Sequence, residues 1–112
     1  MKRGEIWLIN LDPTIGAEIK KTRPAIIVNV NELGKLPLRV IVPLTDWKSN
    51  YSIAPWMVKI IPSSQNGLSK QSAADCFQVR SVSQSRFVKM IGYLTISQME
   101  QIVQGLSSVL II

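Results

Sequence analysis

Three cations, Lys20, Lys21 and Arg23, stand within four residues, and a carboxylate, Glu18, stands just before them. That mixture suits a phosphodiester, whose anionic oxygens ammonium and guanidinium groups can hold while a neighbouring carboxylate takes or orients a proton. Arg23 is the strongest candidate: a planar guanidinium grips two non-bridging oxygens at once and stays charged at every physiological pH. The same basicity makes it a poor proton acceptor, so its expected role is electrostatic. Further along, Thr45 ends an apolar run and offers a hydroxyl that can donate to a phosphate or a leaving oxygen. Lys48 can meet a phosphate, and Trp47, Tyr51 and Trp56 offer faces on which unpaired bases stack. Ser72 and Gln78 add hydrogen-bonding groups. Trp7 and Trp56 also suit a core, and Arg80 suits a tie between strands.

These residues need a scaffold, and the sequence reads mainly as strands. Ile6 to Leu11 and Ala25 to Val28 are short, β-branched runs, joined by a connection whose Asp12-Pro13 and Gly16 are turn residues. A third strand, Arg39 to Thr45, is entered through a turn at Gly34 to Pro37. Trp47 to Pro55 forms a polar loop, and Met57 to Ile61 a fourth strand ended by the turn Pro62 to Gly67. Ser72 to Val82 and Phe87 to Leu94 read as the last strands. Short strands at this spacing predict a strongly bent antiparallel barrel. The period then changes: Met99, Ile102, Val103, Leu106, Val109 and Leu110 recur at helical spacing, with Ser97 and Glu100 as a capping box. Their apolar face is expected to pack on the barrel, because Gly105 inside the helix weakens it by about 1 kcal/mol relative to alanine.

At 112 residues the chain is expected to form one domain, 1–112, folded throughout given its 46% hydrophobic content. Thirteen Lys and Arg against seven Asp and Glu give a net charge of +6, which favours anionic partners, nucleic acid among them. With no histidine and a single cysteine, Cys76, a zinc site and an internal disulfide are not expected, nor is any cofactor. No apolar run approaches the ~20 residues of a membrane span and no apolar segment follows Lys2-Arg3, so the expected location is the cytoplasm.

Arg3-Gly4-Glu5-Ile6-Trp7, Leu11-Asp12-Pro13, Gly16, Glu18, Arg23-Pro24, Val42-Pro43-Leu44-Thr45, Gln78-Val79-Arg80-Ser81-Val82 and Ile91-Gly92-Tyr93-Leu94 together resemble the MazF/PemK/Kid toxins of bacterial toxin–antitoxin systems. The resemblance spans nearly the whole chain in order. It implies a mainly β (α+β) fold, a small antiparallel SH3-like barrel with a C-terminal helix. It also implies a homodimer that cuts single-stranded RNA or mRNA at short sequences, and a MazE/PemI-like antitoxin that wraps the dimer and blocks its RNA groove. The implied catalytic residues are Arg23, Thr45 and Glu18, with Lys20, Lys21, Trp47, Lys48, Ser72 and Gln78 meeting the substrate and no metal involved. The substrate's own 2′-OH is then the nucleophile, and the products are a 2′,3′-cyclic phosphate and a 5′-OH.

One departure bears on mechanism. In the Kid branch catalysis is assigned to a histidine where this chain has Ala17, and to an Arg-x-Asp where it has Asp75-Cys76-Phe77. The Arg23/Thr45 arrangement is therefore the one this chain can run. Two other readings remain at this stage. A non-catalytic RNA-binding member follows from the missing Kid residues, and a CcdB-like gyrase poison follows from the shared fold. The end Leu110-Ile111-Ile112, in place of the Trp-Gly-Ile of the gyrase poisons, disfavours the second.

Overall fold

In the computed structural model, which describes residues 1–112, seven antiparallel strands precede one helix. They are β1 (Glu5–Asn10), β2 (Thr22–Ile27), β3 (Leu38–Asp46), β4 (Met57–Ile60), β5 (Ser72–Asp75), β6 (Arg80–Ser83) and β7 (Phe87–Tyr93), followed by α1 (Ile96–Leu110). The sheet runs β4-β5-β3-β2-β1-β7, with β6 also paired to β3. The run Ala25 to Val28 does not alternate in polarity because both faces of β2 are covered. Ile26 and Val28 enter one core with Ile6, Val42, Leu44, Ile60 and Ile102. Ala25 and Ile27 enter a second with Ile9, Leu11, Ile41 and Val82. A single sheet lines both cores by bending.

Two register shifts in the β1–β7 ladder, between Ile6 and Trp7 and between Leu8 and Ile9, supply part of that bend. The two ends of the sheet then meet. The Tyr93 N–H donates to the Gln65 carbonyl at 3.0 Å, and a Cβ built on Gly92 would lie 2.3 Å from that same oxygen. Only glycine allows this approach, which turns an open sheet into the expected barrel.

The elements depart from the sequence reading in several places. β2 begins at Thr22, so Arg23 sits in a strand and not on the connecting loop. The stretch read as one strand from Ser72 to Val82 is broken by a 3₁₀ turn at Cys76–Gln78. Asp75 accepts the Phe77 N–H at 3.1 Å, a local bond that competes with continued pairing. The loop after Trp47 holds another 3₁₀ turn at Ser49–Ile53.

The helix is capped two residues earlier than expected, by Thr95 with Gln98 and not Ser97 with Glu100. The Thr95 hydroxyl accepts the Gln98 N–H at 3.1 Å and the Gln98 side chain accepts the Thr95 N–H at 2.9 Å. Ile102 is fully buried, and Met99 and Leu106 pack on the first core. Val103 and Leu110, expected on that face, remain 44% and 50% exposed. Trp7 and Trp56 are half-buried and pack against the two cores, edge-on to Phe87 and Phe77 respectively.

Candidate active site

The site forms where β3 parts from β2. In their ladder Ile27 faces Ile41, Ile26 faces Val42 and Ala25 faces Pro43, and there pairing stops. The Val28 N–H donates to the Val40 carbonyl at 3.0 Å. Hydrogen-bonded rungs alternate along an antiparallel ladder, so the next are Ile26 with Val42 and then Pro24 with Leu44. Pro24 has no N–H to donate, and the ladder ends one rung short. On its other edge β3 goes on pairing, setting Leu44 against Ala74, Thr45 against Ala73 and Asp46 against Ser72. β3 thus leans to β5 and leaves a cleft beside β2.

Continued register would have set Arg23 opposite Thr45. Residues opposed in this way project to the same side, and both line the resulting cleft of about 340 Å³ with Asp46, Ser69, Lys70 and Ser72. Thr45 and Arg23 are half-buried. The Arg23 Nε donates to the Lys20 carbonyl at 3.3 Å, and the guanidinium forms no ion pair. Ser72 is buried, and its hydroxyl donates to the Lys70 carbonyl at 3.0 Å. A cation, hydroxyls and a half-enclosed space are what a bound phosphodiester needs.

Glu18 and Gln78 lie elsewhere, lining a neighbouring cleft with Phe77, Arg80 and Pro43. Glu18 accepts the Ile15 N–H at 2.6 Å and so closes its own turn. Gln78 accepts the Ile19 N–H at 2.7 Å and donates to Asp75 at 3.1 Å. Across 59 residues of sequence this amide straps the β1–β2 connection to the turn after β5. Asp75 in turn is buried. It contributes to the state of Cys76, whose thiol is pushed up to about 12 first by burial and then by the Asp75 charge. The Arg80 guanidinium makes no hydrogen bond or ion pair within the chain and does not tie strands together.

The connection itself is held at its base. Asp12 accepts the Lys21 N–H at 3.0 Å, and the Leu11 N–H donates to the Lys21 carbonyl at 3.0 Å. Together these fix Lys21 at φ +70°, a conformation costly for a side chain unless its surroundings impose it. Arg86 donates to the Asn10 and Asp12 carbonyls from beneath. Lys20 and Lys21 are exposed. Past the cleft, Trp47 lies edge-on to Tyr51 with ring centroids 5.8 Å apart, and the Lys59 ammonium stands 5.3 Å from the Trp47 ring centre. Lys48 is exposed beside them. Sequence reasoning missed Lys70 and Arg86, whose placement depends on contacts between segments far apart in the chain, and read Asp12 only as a turn residue.

The chain as a whole is similar to known proteins. The chain is 30% identical over 113 residues to the endoribonuclease MazF9 of Mycobacterium tuberculosis, covering 95% of this chain and 92% of that one. It is 28% identical over 102 residues to the endoribonuclease MazF of Staphylococcus saprophyticus, covering 91% and 84%. Among solved structures, MazF from Deinococcus radiodurans superposes with a TM-score of 0.83 over 100% of this chain and 97% of that one at 19% identity. A mycobacterial endoribonuclease solved with its cognate antitoxin superposes with a TM-score of 0.77, over 98% and 94%, at 20% identity. The family model for the PemK-like, MazF-like toxins of type II toxin–antitoxin systems matches residues 2–110, and with the proline-ended ladder, the cleft and the barrel in place the chain belongs to that family.

Proposed function

We propose that this chain is the toxin of a toxin–antitoxin pair, a single-domain, metal-independent endoribonuclease that cuts single-stranded RNA or mRNA at selected sequences in the cytoplasm. The observation that carries this reading is that Arg23 and Thr45 line one cleft, opened where the β2–β3 ladder stops at Ala25 and Pro43. The 2′-OH of the substrate attacks the adjacent phosphorus, so an O2′–P bond forms and the P–O5′ bond breaks. The 2′ proton passes to solvent water, and the departing O5′ takes one from water or from the Thr45 hydroxyl, which is reprotonated from solvent. Arg23 balances the charge that builds on the non-bridging oxygens, and Thr45 donates to the phosphate or to O5′. Glu18 shapes the β1–β2 connection and lines the neighbouring cleft, where it and Gln78 border the RNA path. Lys20, Lys21 and Lys48 meet flanking phosphates, and Trp47 stacks a base.

The antitoxin is a MazE/PemI-like protein that covers this groove, and the working toxin is a homodimer. β7 supports the dimer, because its Val88, Met90 and Tyr93 side chains are exposed together on one strand. The test is incubation of the purified protein with a long single-stranded RNA in EDTA, beside the same sequence in 2′-deoxy form. Discrete cuts with 5′-OH ends in the RNA alone support the proposal. RNA that is bound and left intact would show a non-catalytic binder, and no RNA binding together with gyrase inhibition would show the CcdB-like activity.

A further inference from the structure

Lys70 plays no part in the chemistry described so far, yet it lines the same cleft as Arg23. β3 lies between β5 and β2 in the sheet, and Asp46 at its end faces Ser72. Lys70, just before β5, and Arg23, on β2, therefore flank the Thr45–Asp46 end of β3 from opposite sides. We infer that Lys70 is a second phosphate-holding cation, gripping the RNA backbone from the wall facing Arg23. This rests on the reading of the cleft as a phosphodiester site.

The segment that carries Lys70 is rigidly built. Asn66 is fully buried. Its side-chain carbonyl accepts the Ser63 and Leu68 N–H groups at 3.0 Å each, and its amide donates to Ile61 at 2.9 Å. Gly67, at φ +67°, runs so close to β7 that a Cβ would lie 2.0 Å from the Ile91 carbonyl oxygen. The Ser72 hydroxyl holds the Lys70 carbonyl. The backbone of Lys70 is thus fixed while its ammonium is free to move. Its single partner is Asp46 at 4.0 Å, with both side chains mostly exposed, 73% and 64%. So loose a pair contributes little to stability. It keeps the ammonium at the cleft, and an arriving phosphate displaces Asp46 as the stronger acceptor.

The probe is a short RNA spanning a mapped cut, made uncleavable by a single 2′-deoxy substitution and titrated by fluorescence anisotropy over a range of salt. Lys70→Ala is expected to weaken binding about tenfold at low salt and to lower the log–log salt slope by about 0.7, the share of one phosphate contact on a single strand. Lys70→Arg should restore both. Asp46→Asn, which removes the competing acceptor, should tighten binding several-fold, and that gain should shrink in the Lys70→Ala background. Unchanged affinity and slope in Lys70→Ala would overturn the inference, and so would weakening by both single variants, the mark of an ion pair that merely braces the loop. If the wild-type protein cleaves RNA while these variants are neutral, only the Lys70 inference fails. If the wild-type protein binds no RNA, both readings fail.

Discussion

In the proposed reaction Arg23 and Thr45 divide the work of the cleft, and their loss should read differently in kinetics. Arg23→Ala should lower turnover by roughly 10²–10³-fold, the usual cost of removing one group that faces developing charge, with the fold intact by circular dichroism. Thr45→Ala should lower kcat by about tenfold or more with little change in KM, since its hydroxyl acts on charge that appears only during reaction. An equal loss in RNA affinity would recast Thr45 as a binding residue. Both candidates stood out in the sequence because each ends or begins an apolar run beside a marked dipeptide, Arg23-Pro24 or Leu44-Thr45, and the fold brings them to one cleft. Gln78 was legible as a polar residue near the groove but not as a strap, because its bond to Ile19 joins segments no local pattern connects. The same holds for Lys70, one cation among many until the β4–β5 segment folds back along the cleft.

Among the elements, the helix shows most plainly what packing adds to pattern. Its apolar period was readable, but its start was not, since Thr95-x-x-Gln98 and Ser97-x-x-Glu100 are both capping boxes by type. Burial of Leu94, next to Met99 in the first core, selects the earlier one. Gly105 looked like a weakness in the helix and is a fitting surface. A Cβ there would lie 2.7 Å from the Cys76 Sγ and 3.2 Å from Val58 Cγ2. Gly105→Ala should gain about 1 kcal/mol in helix propensity and lose about 1–3 kcal/mol to overpacking, for a net fall in stability on urea denaturation. Adding Cys76→Ala, which removes the sulfur, should recover part of that loss.

The same thiol gives the fold an alkaline limit. Its folded value, raised to about 12 by burial and then by Asp75, exceeds the ordinary ~8.5 of an unfolded chain. The folded state therefore holds this proton more tightly, and the stabilisation is complete below about pH 8.5 and is lost as pH rises toward 12. The urea midpoint of the wild type should fall over that interval more steeply than that of Cys76→Ala. Parallel curves would remove Cys76 from the account. The broken strand at Cys76–Gln78 escaped the sequence reading for a related reason, since one side-chain bond from Asp75 decides it.

For the molecule as a whole, the mainly β barrel with a terminal helix was readable from strand spacing and the final change of period, whereas its closure through Gly92 was not. With the Val88, Met90 and Tyr93 side chains exposed on β7, the mass in solution should be twice the 12.5 kDa of one chain by light scattering. Met90→Glu should halve it, and a monomeric wild type would place the dimer proposal in error. The proline that ends the β2–β3 ladder has a consequence for how such a toxin can be disarmed. Pro24→Val gives the strands the donor they lack, so the sheet can zip one rung further and draw Arg23 against Thr45. The new backbone bond is worth about 1 kcal/mol, and the freer unfolded chain takes back about 0.4–1 kcal/mol. Tm should therefore barely move while cleavage collapses. A lineage carrying this gene could silence it by one substitution that leaves every catalytic group in place and the folded protein as abundant as before, still able to occupy its antitoxin.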